Sequence, residues 1–264
     1  MRNNLGNWLK LLRLCSSLTL LAFAALIYFY PAEVQGLSSE YLPWVNAENS
    51  LIIVKSMAGF FALAAALSWR CGGKSRPLSA LPVFIAGILL LAIFSVRSHQ
   101  SGGFTLMLLN ALVIACPFLL LGYCKLQNKV DHWCIYASVA ISLALLGQSL
   151  YGTGTHLAQF NYLYLALTKL GLTEDAAANL IRISGYVHYG FILALFIPAL
   201  RRIALYAMIA WGISTAIAPL VVTIGSGQLG LGVLLAVMRT SHWMIPLLIL
   251  LTLASQKKTA TLKL

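Results

Sequence analysis

The chain has 264 residues, of which 60% are hydrophobic and 9% charged; mean hydropathy is +0.87, and 18 Lys+Arg against 6 Asp+Glu give a net charge of +12. Soluble globular domains carry roughly 25% charged residues, and disordered chains lack this much apolar and aromatic bulk, so both classes are excluded. The cations are dispersed between long apolar runs rather than gathered in a solvated patch, which excludes nucleic acid as a partner.

A helix needs roughly 20 predominantly apolar residues to cross the hydrocarbon core. In chain order, eight spans are predicted over 11–30, 51–69, 78–96, 104–124, 134–151, 182–200, 203–224 and 229–254. The expected fold is therefore an all-α, polytopic transmembrane helical bundle, one domain over 1–264. Its outer loops are 31–50 and 152–181. Within the second loop, Leu157, Phe160, Tyr164, Leu167 and Leu170 recur at helical spacing. That pattern predicts an amphipathic helix, lying in the headgroup region or capping the bundle from outside. Thr173 reads as the N-cap of the next helix, with Glu174 and Asp175 in its favourable first turn.

Orientation follows from the basic residues. With both termini in the cytoplasm, the inner ends hold Arg2, Lys10, Arg13, Arg70, Lys74, Arg76, Lys125, Lys129, Arg201, Arg202, Lys257, Lys258 and Lys263, or 13 of the 18. Five of the six acidic residues fall outside, Asp131 being the exception. The expected location is a bacterial inner membrane, in multi-pass form. The first apolar run is too long for a signal-peptide core and reads as an uncleaved helix. Cys15, Cys71, Cys116, Cys124 and Cys134 all map to the cytoplasmic half and show no metal-ligand spacing, so they read as free structural thiols.

Small residues mark close helix packing: Ala58, Ala62 and Ala66 on the second span, Gly212 with Ala216 and Ser214 with Ala218 on the seventh. Pro117, Pro198, Pro219 and Pro246 are expected to kink their helices and free carbonyls that neighbours must satisfy.

Ionisable groups inside spans are costly and ask for an explanation. Lys55, Arg97, His99, Arg182, His188, Arg239 and His242 all fall in the outer half, and Arg239 with His242 lies deepest. Arg239, His242 and Trp243 stand at i, i+3 and i+4, on one helix face. Arg182, Tyr186 and Tyr189 share a face of the sixth span, where Ser184 and His188 share another; Gln148 and Tyr151 are near enough to join them. The expectation is an outward-facing cationic and aromatic pocket for an anionic lipid, a quinone or a small anion. Lys55, Arg97 and Arg182 have a plainer reading as residues snorkelling to phosphates. Arg239 reaches the surface only if its helix breaks, which the preceding Gly225, Gly227, Gly230 and Gly232 would permit. Residues 229–238 then form a short re-entrant piece.

Gly225, Gly227 and Gly230 match G-x-G-x-x-G, but no strand precedes them and no acidic residue follows at the ribose distance, so they read as a turn. His188 and His242, at similar depth on different helices, are the candidate ligands of a b-type haem. No span holds Asp or Glu, and H-E-x-x-H and G-x-S-x-G are absent, so the chain reads as a binding protein rather than a hydrolase.

Over 172–250, the run Thr173-Glu174-Asp175-Ala176-Ala177 leading to Arg182 and Gly185 is followed by Trp211-Gly212-Ile213-Ser214-Thr215-Ala216, then by Trp243 with Pro246-Leu247. These segments resemble uncharacterised bacterial membrane proteins grouped with DoxX-like proteins. The resemblance covers under a third of the chain and departs from the four-helix unit of that group. It implies a link to quinone or thiol redox chemistry and assigns no residue a role. Two functions follow: a ligand-binding membrane protein whose partners are membrane lipids, or a structural or assembly subunit among other membrane-protein subunits.

Overall fold

The computed structural model describes residues 2–31, 47–71, 76–100, 104–126, 129–154 and 167–261. Most of the predicted outer loop 31–50 and of the predicted amphipathic helix lies outside the described residues. Among those described, every regular element is a helix: α1 (Arg2–Phe29), α2 (Ala47–Ser68), α3 (Arg76–Gln100), α4 (Thr105–Leu109), α5 (Ala111–Lys125), α6 (Val130–Gly152), α7 (Glu174–Phe196), α8 (Arg201–Thr223), α9 (Leu229–Met238) and α10 (Ser241–Thr261).

Among the described residues, six stretches are long and apolar enough to cross a membrane: Gly6–Phe29, Asn49–Ser68, Leu78–Ser98, Val130–Gly152, Arg201–Thr223 and Leu229–Ser255. The chain is thus a multi-pass membrane protein by length and composition. Two predicted spans differ. The run 104–124 is interrupted at Asn110, where the side-chain Nδ2 donates to Leu106 O at 2.9 Å and competes with the helical ladder. The 15 residues of α5 then reach only about 22 Å, short of the roughly 30 Å hydrocarbon core. The run 182–200 belongs to α7, which starts at Glu174 as the expected Thr173 cap requires, but it ends before Pro198, because Ile197 takes the extended conformation that a following proline imposes. Its 23 residues are long enough, but Asn179, Arg182, Ser184 and His188 make it less apolar than the six.

Thr173 caps α7 as its sequence indicates, its Oγ1 accepting from Ala176 N at 3.4 Å. The glycine-rich segment is a turn, with Gly225 at φ 85° and Gly227 at φ 73°. Both lie in the left-handed region that glycine enters without steric cost.

Helix α1 is the mast of the bundle. Its first half (Trp8, Leu12, Cys15) belongs to one apolar core shared with α5, α6, α8 and α10. Its second half (Leu20, Phe23, Ile27) belongs to another, built with α2 and α3 and closed by Met238. The packed face of α2 carries Val54, Ala58, Phe61 and Ala65, and Ala66 points outward. The expected Ala58–Ala62–Ala66 stripe is therefore only partly the contact, because Phe61 fills the groove against Phe23 at 5.0 Å between ring centroids. On α8, Gly212 and Ala216 are buried as expected, whereas Ser214 is exposed.

Gly147 on α6 lies against the backbone just before the Asn110 interruption: a Cβ there would stand 2.6 Å from Leu109 N. Gly147→Ala should destabilise the protein by about 1–3 kcal/mol, since a backbone neighbour cannot yield. Gly190→Ala, with nothing within 4 Å, should be neutral or stabilising. Thermal unfolding in detergent checks this; equal melting temperatures for the two variants would refute the close approach.

Candidate functional site

The sequence leaves open whether the last span is continuous, and the structure interrupts it at Arg239. Helix α9 ends at Met238, Arg239 is the C-cap (φ −83°, ψ 6°), and α10 starts at Ser241. Arg239 Nη1 donates to Thr215 O on α8 at 3.0 Å. That carbonyl is free for a covalent reason: its helical donor would be the amide of residue 219, which is proline. The guanidinium is half-buried and, among the described residues, meets no carboxylate.

Three residues on, His242 Nε2 lies 3.3 Å from Leu109 O, at the end of α4. A carbonyl only accepts, so in the neutral ring this pairing places the proton on Nε2. The His242 carbonyl has likewise lost its helical donor, to Pro246. It faces the bare Cα of Gly212, where a Cβ would stand 2.5 Å from the oxygen. The two interrupted helices thus meet through His242, and α8 is pressed against the break.

Beside His242 is a cavity of about 20 Å³ lined by Leu112, Gln148, Met208, Trp211 and Gly212 among others. It has room for one water. On α7, His188 is only 2% exposed, and its ring packs edge-on against Trp211 at 4.5 Å. Neither His188 Nδ1 nor Trp211 Nε1 has a hydrogen-bond partner among the described residues. On the α1 side, Cys15 and Cys116 touch, Sγ to Sγ, at 3.5 Å. The hydroxyls of Thr19 and Thr240 stand beside the Cys15 sulfur. A polar seam therefore runs from the two thiols through the break to His242, Trp211 and His188.

Not all eight expected ligand-binding residues join it. His242 and His188 do, through Trp211, and Arg239 adjoins it. Trp243 is half-buried against the first core. Arg182 and Tyr186 are exposed on the outer face of α7, because Gly185 and His188 form its packed face, and Tyr189 is half-buried between the two. Lys55 is exposed, its Nζ lying 5.9 Å from the Tyr28 ring centroid. Among the described residues, Arg182 and Lys55 are exposed whereas Arg239 is half-buried. For the two candidate haem ligands, the room beside His242 suits one water, and the His188 ring packs edge-on against Trp211.

Sequence reading missed Trp211, the Leu109 carbonyl and the contact of Cys15 with Cys116. The Thr215–Pro219 relation was available, since each helical proline names the carbonyl four residues back as unpaired. No family model, curated protein or solved structure matches the chain.

The pairing of Arg239 with a proline-freed carbonyl can be tested by a double-mutant cycle. Arg239→Leu alone leaves the Thr215 carbonyl unsatisfied and should cost about 1–3 kcal/mol. With Pro219→Ala, which restores the helical donor, the same change should cost at least ~1 kcal/mol less. Equal costs in both backgrounds, by unfolding in detergent, would show the two residues to be uncoupled.

Proposed function

We propose that this is an eight-span protein of a bacterial inner membrane, with both termini in the cytoplasm, that binds an anionic or quinone-like ligand at Arg239. The ligand class spans a lipid headgroup, a quinone and a small anion; the quinone is also what the resemblance to DoxX-like proteins implies. In this reading α7 and the interrupted α4–α5 supply the two spans beyond the six apolar stretches. The bias of 13 of 18 basic residues to one set of loops supports the orientation.

One observation carries the binding proposal. Of the five N–H groups of Arg239, only one nitrogen is engaged by a hydrogen bond among the described residues, to Thr215 O. A guanidinium cannot shed its charge, so within an apolar bundle it favours an anion or a strong acceptor in planar, two-pronged contact. The break fixes this geometry: a side chain at a C-cap, tied at one nitrogen to α8, is pre-oriented with its other donors unspent. Arg182 and Lys55, which are exposed, act at the lipid phosphates rather than on this ligand.

Gentle detergent purification followed by native mass spectrometry tests the assignment. Wild-type protein should retain an anionic lipid or quinone, Arg239→Leu should lose it by roughly tenfold or more, and Lys55→Leu should keep it. Arg239→Lys, which preserves charge but not the fork, should be intermediate and controls for loss of fold. Equal retention by Arg239→Leu and Lys55→Leu would overturn the proposal, as would obligate co-purifying proteins with no bound small molecule. For the topology, a fluorescent-protein fusion at the C-terminus should fluoresce; a dark fusion with an active periplasmic reporter at the same position would reverse it.

A further inference from the structure

A second site lies between α3 and α5 and shares no residue with the one above. Between them Phe118 packs over Gly87: a Cβ on that glycine would stand 2.7 Å from the Phe118 ring. Phe84 meets Phe118 edge-on at 5.6 Å and closes one end of a groove. From there toward Lys125 the groove encloses about 470 Å³, between Ala80 and Leu81 on α3 and Leu121 and Cys124 on α5, with Cys71 beside them. That volume is within the roughly 300–1,000 Å³ of ligand pockets.

The chemistry of the groove is asymmetric. Its walls are aliphatic, aromatic or thiol. Burial pushes the Cys71 thiol up, against smaller opposing effects of Ser79 and Arg13, so this wall carries no charge. The Cys71 carbonyl is taken by Arg13, whose Nε and Nη2 both donate to it. The one formal charge in the lining is Lys125, exposed in the last turn of α5. Its ammonium has no hydrogen-bond or ion-pair partner among the described residues. The neighbouring charged side chains are mostly of the same sign: Arg70 and Lys129 are exposed, and Asp131 opposes them. An apolar slot with a cation at its mouth complements an amphiphile with a negative head, and basic pockets between spans are a known mode of lipid recognition.

We infer that the groove between α3 and α5 holds an acyl chain of an anionic phospholipid whose phosphate is met by Lys125. The chain replaces bilayer contacts with fixed walls, and the ammonium selects the headgroup. Because Arg239 takes no part, this site stands or falls separately from the proposed function.

The test uses the full-length protein, delipidated in detergent and titrated with equimolar phosphatidylglycerol and phosphatidylcholine under native mass spectrometry. Wild type should show a first bound lipid that is predominantly phosphatidylglycerol. Lys125→Gln should lower that preference about fivefold. Ala80→Trp, which puts an indole into the groove from a partly exposed position, should remove the tight lipid of either kind. Each comparison is made in the Arg239→Leu background as well, so that lipid held at Arg239 does not enter the reading. The inference is overturned if Lys125→Gln keeps the wild-type preference, or if Ala80→Trp binds as wild type does, which is the behaviour of an annular lipid only.

Discussion

Inside hydrocarbon a backbone carbonyl that loses its helical donor has no water to turn to, and must be met from within the protein. That constraint organises the centre of this bundle. Pro219 strips Thr215 of its donor, and the guanidinium of Arg239 replaces it at 3.0 Å. For the Arg239 side chain to arrive there, its own helix must end, and α9 ends at Met238. The charge that looked most expensive in the sequence is partly explained as the partner of a proline. It is not fully explained, because a single carbonyl engages only a fraction of a guanidinium's donors.

Interruption and close packing are coupled here. A helix break exposes backbone, and exposed backbone in a membrane protein has to be covered by other backbone at short range. Gly147 covers the end of α4 and Gly212 covers the start of α10, each at a distance that no Cβ would tolerate. His242 then ties the two interruptions together through the Leu109 carbonyl. The junction is tight where glycine meets backbone and polar at His188, Trp211 and Thr240, whose buried side chains have no hydrogen-bond partner among the described residues.

The two proposed sites use different physics. At Arg239 a pre-oriented fork meets charge in a region of low polarity, so geometry and desolvation dominate. At the α3–α5 groove the energy comes from an apolar chain in a fixed slot, and one exposed ammonium supplies selectivity. As proposed, the first would recognise a ligand within the bundle and the second would hold lipid at a seam beside Lys125, a cation that complements the C-terminus of α5.

Much of the architecture was legible in the residues themselves. Hydropathy located the six long apolar stretches, Thr173 marked the start of α7, and the glycines at 225 and 227 marked a turn and allowed a break before Arg239 without deciding it. These are local properties: transfer energy, capping and backbone freedom are set within a few residues. The neighbours of each side chain were not legible. Arg182 and Tyr186 share a helix face with each other, but only the packing of Gly185 and His188 against other helices decided that this face looks outward. Cys15 and Cys116 are 101 positions apart and touch because α1 and α5 cross at that level. Spacing along one helix fixes which residues share a face; the direction of that face, and what meets it, depends on the rotation and crossing of several helices at once, which only the assembled bundle determines.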